Sequence, residues 1–233
     1  MCRRPILCRA PSYAVLVVSV IILVMAEYMV DDSPLWYRGT RSGNHSGQAE
    51  ATDLGLSASL RRDLQAWNDV FEQTRNAVFD DRDESRPVPS PSEFPEVFAA
   101  HRVEAFTLAS RVQLELGDDV HVWCGAGEGI DIVSESGTAV VLSSRRTGAD
   151  VEYLRDGKRD VRSARAAGAR EGAAKALLHW RSLTERVGTP FGDAETRALG
   201  LRASGQLQSD VGPQAQVVFY AGASMPYRPD DLN

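Results

Sequence analysis

The chain has 233 residues and a formal net charge of −6, with 26 Lys and Arg against 32 Asp and Glu. That length allows one full-sized domain or two small ones. The acidic balance excludes a protein built mainly to hold nucleic acid, because neutralising phosphates needs a basic face.

Taken in chain order, residues 1–11 form a basic segment with Arg3, Arg4 and Arg9, and residues 12–30 form an apolar run without charge from Tyr13 to Ala26. A helix needs about 20 largely apolar residues to cross a bilayer, and excess arginine stays on the cytoplasmic side. The pattern predicts a transmembrane signal-anchor over 12–30, a cytoplasmic N-terminus and a main domain outside the cell membrane. Val24 and Ala26, three and one residues before a possible cut, also fit a signal peptide cleaved after Ala26, which would release a secreted protein. Cys2 and Cys8 precede this run and Cys124 stands alone beyond it, so the exported domain has no intramolecular disulfide open to it.

Residues 31–53 are rich in Gly, Ser and polar groups and read as a flexible linker. Residues 54–222 carry the domain. Ser57 can cap a helix whose Leu60, Leu64, Trp67 and Phe71 recur at i, i+4, i+7 and i+11. Residues 80–95 are acidic, then proline-rich, and break it. Asp80, Asp81, Asp83 and Glu84 lack the glycine and closing glutamate of a calcium loop. A second helix over 93–116 stops at Gly117. Strand-like runs follow at 120–125, 130–134, 138–143, 150–154 and 158–161, the last two joined by an Asp156-Gly157 turn. Residues 163–187 read as a long helix with Leu177, Trp180 and Thr184 in phase. A further helix over 193–211 stops at Gly212, a strand covers 215–220, and 223–233 form a loose tail.

The two halves echo one another. Leu64-Gln65-Ala66-Trp67 is similar to Leu177-Leu178-His179-Trp180, and Arg111-Val112-Gln113 with Gly117 is similar to Gln206-Leu207-Gln208 with Gly212. Val120, Val122 and Cys124 then fall on Ala215, Val217 and Phe219. An internal helix-helix-strand duplication explains this, and so does shared helix-stop grammar. Either predicts an α+β fold: a mainly antiparallel sheet with two helical hairpins packed on one face, preceded by the transmembrane helix. The first half, through Leu64, Trp67, Asn68, Phe71, Glu115, Leu116 and Gly117, resembles small uncharacterised bacterial domains with a leucine-rich Trp-Asn helix and a second helix ending Glu-Leu-Gly. That resemblance brings no activity with it.

No catalytic constellation is visible. His45, His101, His121 and His179 show no metal-ligand spacing, and no nucleophile elbow or phosphate loop opens a helix. The pattern calls for no cofactor and no metal. Two features point to contacts instead. His121 and Trp123 share the strand face opposite Val120, Val122 and Cys124, which would be an open contact face if helices cover only the valine side. Arg155, Arg159 and Arg162 lie in a stretch where arginines outnumber carboxylates, within an otherwise acidic chain. The expected function is therefore a non-enzymatic, membrane-tethered extracytoplasmic binding or scaffolding module of the bacterial cell envelope. Its partner would be an envelope polymer, a lipid or a protein, and not nucleic acid. An envelope hydrolase with dispersed catalytic residues is the alternative.

Overall fold

The computed structural model describes residues 20–27, 30, 33–38, 46–79, 95–125, 138–143, 150–155, 158–187 and 192–220. The elements run β1 (Val20–Val24), β2 (Leu35–Arg38), β3 (Ser46–Gln48), α1 (Ala58–Phe79), α2 (Pro95–Leu116) and β4 (Val120–Cys124). Then come β5 (Thr138–Ser143), β6 (Asp150–Arg155), β7 (Lys158–Ser163), α3 (Glu171–Val187), α4 (Ala194–Val211) and β8 (Gln216–Tyr220). The chain thus spells β-β-β-α-α-β twice. The first copy makes a sheet of order β3-β2-β1-β4 and the second a sheet of order β7-β6-β5-β8. In each, three antiparallel strands form a meander, and the strand after the helical hairpin returns parallel to the first. The fold is α+β, but with two mixed sheets where one mainly antiparallel sheet was expected.

The transmembrane expectation is corrected here. Residues 20–24, inside the anticipated membrane helix, form β1, which lies between β2 and β4. Ile22, Leu23 and Val24 are at most 1% exposed because both faces of this strand are covered. A central strand buried on both faces is apolar throughout, and so is a membrane helix. Among the described residues no helix is long and apolar enough to cross a membrane. Residues 1–19 and 223–233 lie outside the described residues. The stretch read as a linker also contributes structure: it supplies β2, which pairs with β1, and β3, the edge strand beyond it.

The helix stripes behave as their spacing predicts. Leu60, Leu64, Trp67 and Phe71 of α1 are all buried, as are Ala173, Leu177, Trp180 and Thr184 of α3. All but Thr184 join Ile22, Val24, Val122, Val140, Leu142, Val217 and Phe219 from the sheets in one core. The helix expected from residue 163 begins eight positions later, at Glu171. Residues 164–168 close a turn in which Ala169 N–H donates to Ala164 O, and Gly168 takes φ +108°, which no helix permits. The first copy has the same turn: Leu56 N–H donates to Ala51 O, and Gly55 takes φ +72°.

The correspondence extends to individual bonds. Gln113 donates from Nε2 to Gly117 O (2.9 Å) and Val120 O (2.8 Å), and its Oε1 accepts from Val122 N–H (3.0 Å). Gln208 donates to Gly212 O (2.8 Å) and Ala215 O (3.1 Å) and accepts from Val217 N–H (2.8 Å). Glu115 accepts from the N–H of Ser57, which precedes α1, and Asp210 from that of Arg170, which precedes α3, both at 2.7 Å. The structural repeat is therefore a full six-element unit, longer than the helix-helix-strand echo read from the sequence.

The copies meet through α2 and α4, the most extensive contact between any two described elements, and β4 also touches β8. A small residue permits the approach: a Cβ on Gly205 of α4 would lie 3.1 Å from Phe106 Cβ of α2. Trp67→Ala and Trp180→Ala each remove an indole buried on a core stripe. Each should lower unfolding free energy by about 3–5 kcal/mol, read from urea denaturation. An unchanged midpoint in both would refute the equivalence of α1 and α3.

Candidate functional site

Three places combine polar or charged groups with defined geometry: the joint between the copies, the sheet face away from the helices, and the β6–β7 hairpin.

The joint is built on Arg197, which α4 carries one turn in from its N-terminus and which is 3% exposed. Its Nε donates to Gln113 Oε1 (3.1 Å) and its Nη1 to Gly192 O (2.8 Å). Its Nη2 reaches Gly117 O (3.2 Å), Asp118 O (3.0 Å) and Val120 O (3.4 Å). The Asp118 carboxylate stands 3.8 Å away and also accepts from Ala194 N–H at the start of α4. Burial pushes the Arg197 pKa down, and Asp118 and Asp193 oppose that shift. Asp193 caps α4, and its bonds from the Thr196 side chain and N–H hold its carboxyl below the usual range. One guanidinium from the second copy thus satisfies the carbonyls exposed where α2 of the first copy turns into β4.

The face away from the helices corrects the open-contact expectation. Trp123 is 7% exposed and His121 8%. Trp123 clusters with Leu23 and Met25 of the neighbouring β1 strand and its extension, with Ile21 and Trp36 packed against them. Trp36 Nε1 anchors the group by donating to Met25 O (3.0 Å). Burial, with Arg197 second, lowers the His121 pKa to about 4. Neither side chain is an exposed contact residue.

His101 is a second buried imidazole. It stacks on Trp67 with centroids 4.5 Å apart, Trp67 Nε1 donates to His101 O (3.1 Å), and His101 Nε2 bonds Trp67 O (3.1 Å). The carbonyl partner makes that nitrogen the donor. Burial lowers its pKa to about 4. This locks α1 to α2 and leaves no reachable base. Among the described residues no three His, Cys, Asp or Glu gather as a metal-binding group.

Arg155, Arg159 and Arg162 lie on β6 and β7, in the other sheet from His121 and Trp123, so the five residues do not form one surface. Arg159 stands 3.4 Å from Glu152, and Arg162 lies 3.9 Å above the Tyr153 ring. Among the described strands β7 ends its sheet, and it is exposed along nearly all its length.

Two measurements check this geometry. Arg197→Met leaves buried carbonyls unpaired and should cost about 3–5 kcal/mol in urea denaturation, whereas a loss below 1 kcal/mol would show that the joint is not bound through it. For His101 and His121 the folded pKa lies below the unfolded one. Their stabilisation is complete above about pH 6.5 and is lost as pH falls toward 4, because the unfolded chain takes up the protons first. Each accounts for on the order of 3 kcal/mol of that loss across the whole window. His121→Gln installs the residue found at the equivalent position, Gln216, and should flatten the stability profile between pH 6.5 and 4. An identical profile would contradict a buried neutral His121.

Neither a curated protein nor a solved structure matches the chain. A family model does, over residues 21–124: the family described as Serratia CdiI immunity protein-like. The matched region is under half of the chain, but it runs from β1 to the last residue of β4, which is one complete copy of the repeated unit. That similarity overturns the reading as an envelope scaffold, and with it the placement of the chain as a single-pass membrane protein. What the first copy is similar to is a small bacterial immunity protein domain.

Proposed function

We propose that this chain is an immunity protein of contact-dependent inhibition, which binds a partner toxin protein and blocks it. The observation that carries the reading is the coincidence of the matched region with a whole structural unit: residues 21–124 take in all six elements of the first copy. A match to a shared helix or strand pattern would not be bounded by the unit's own first and last strands. The physical character of the chain supports it. Binding by a folded surface needs a rigid frame, and the duplicated brackets, the joint at Arg197 and the continuous core supply one.

The test is protection. Cells producing the full chain are challenged with inhibitor cells carrying a panel of contact-dependent inhibition toxins, those of Serratia included. Survival against one toxin, together with a stable complex of the chain and that toxin on size-exclusion chromatography, is the expected result. Growth arrest by every toxin, with no complex formed, would overturn the reading.

A further inference from the structure

The repeat supplies an internal control for what the fold itself requires. Positions that maintain the unit are retained in both copies: Trp67 and Trp180, Gln113 and Gln208, Gly117 and Gly212, Tyr37 and Tyr153. The third strands differ completely. By their pairing with β2 and β6, Ser46, Gly47 and Gln48 of β3 correspond to Arg159, Asp160 and Val161 of β7, and the next residue, Ala49, corresponds to Arg162. The fold is satisfied with a short, uncharged strand at this position, so the cations of β7 are an addition that the unit does not need.

Their arrangement on the strand is specific. Alternation places Lys158, Asp160 and Arg162 on one face and Arg159, Val161 and Ser163 on the other. Val161 is a large apolar side chain left 44% exposed. Among the described residues β7 is the end strand of its sheet, and no described strand pairs with the alternate N–H and C=O groups along its outer side. One of its N–H groups shows what the edge binds. The Asp160 carboxylate takes Val161 N–H through Oδ1 (2.8 Å) and Arg162 Nε through Oδ2 (3.1 Å). A carboxylate is thus already held at the edge by one backbone donor and one guanidinium, from within the chain.

We propose that β7 is a docking edge for an extended segment of a protein partner in which acidic and apolar residues alternate, added antiparallel or parallel as a fifth strand of the second sheet. Its carboxylates meet Lys158 and Arg162, its apolar side chains meet Val161, and its backbone pairs with the outer side of β7. Asp160 is a built-in competitor that occupies part of the same site. The inference rests on reading the chain as one that binds a protein, and names the edge and the chemistry of what binds there.

The experiment uses the full chain and a fluorescent octapeptide of alternating glutamate and valine, read by anisotropy. The acidic peptide should bind, and a lysine-valine peptide of the same length should not. Affinity should fall at least tenfold for Lys158→Glu with Arg162→Glu, and likewise when alternate peptide nitrogens are methylated. It should rise several-fold in Asp160→Ala and weaken as salt increases. Because Arg162 also packs on Tyr153, Lys158→Glu alone, at an exposed position, provides a variant that leaves the core untouched and should still weaken binding. No binding of the acidic peptide, equal binding of the lysine peptide, or indifference to backbone methylation would overturn the proposal. In the toxin challenge, full protection by the Lys158→Glu/Arg162→Glu chain would remove β7 as the toxin's docking edge while leaving the immunity reading in place.

Discussion

Each copy of the unit depends on one glutamine. A strand that returns parallel to the first strand of its sheet cannot arrive by a tight hairpin; here it arrives from a helix end that leaves carbonyls without partners. Gln113 and Gln208 resolve this by bonding, from the last turn of the helix, both the carbonyl that closes the helix and the backbone of the incoming strand. An amide has a donor and an acceptor on one planar head, so it can bracket a strand in a way that a carboxylate or an amine cannot. The parallel pairs β1–β4 and β5–β8, and the helical layer above them, follow from that register.

Arg197 extends the first bracket into the second copy. It shares Gln113 Oε1 with Val122 N–H and closes on the same carbonyls. A buried guanidinium is costly to desolvate, and the cost is offset only when nearly all its donors find acceptors in fixed positions. The backbone where α2 ends and β4 begins provides such positions. The joint is therefore polar and geometrically exacting, while the helix contact beside it, with Gly205 against Phe106, is apolar and close.

Much of this could be read from residues. The stripes of Trp67 and Trp180, the stops at Gly117 and Gly212, and the strands at 138–143 and 150–154 follow from spacing and turn chemistry, as does the pairing of Gln113 with Gln208. The first strand could not be read this way. The run around Ile22 and Leu23 is apolar on both faces, and a strand buried on both sides has lost the alternation that identifies a strand; the arginines before it then favoured the membrane reading. Trp123 failed for a related reason. Alternation identified its face correctly, but whether that face is open depends on Met25 and Trp36, which the membrane and linker readings had placed elsewhere. Arg197 was legible in principle. It stands as far before Gln208 as Arg102 stands before Gln113, a spacing that the comparison of the halves passed over. That the match to an immunity protein family covers one copy shows where a family's unit ends, which local motifs alone could not.

Carrying both copies on a single chain changes what variation can do. In a pair of identical subunits, every substitution is made twice, and a residue useful on one side must be tolerated on the other. Here Arg162 stands on the second unit and Ala49 on the first, and neither constrains the other. A single chain is free of such symmetry: one half can hold the architecture steady while the other carries a different surface, residue by residue.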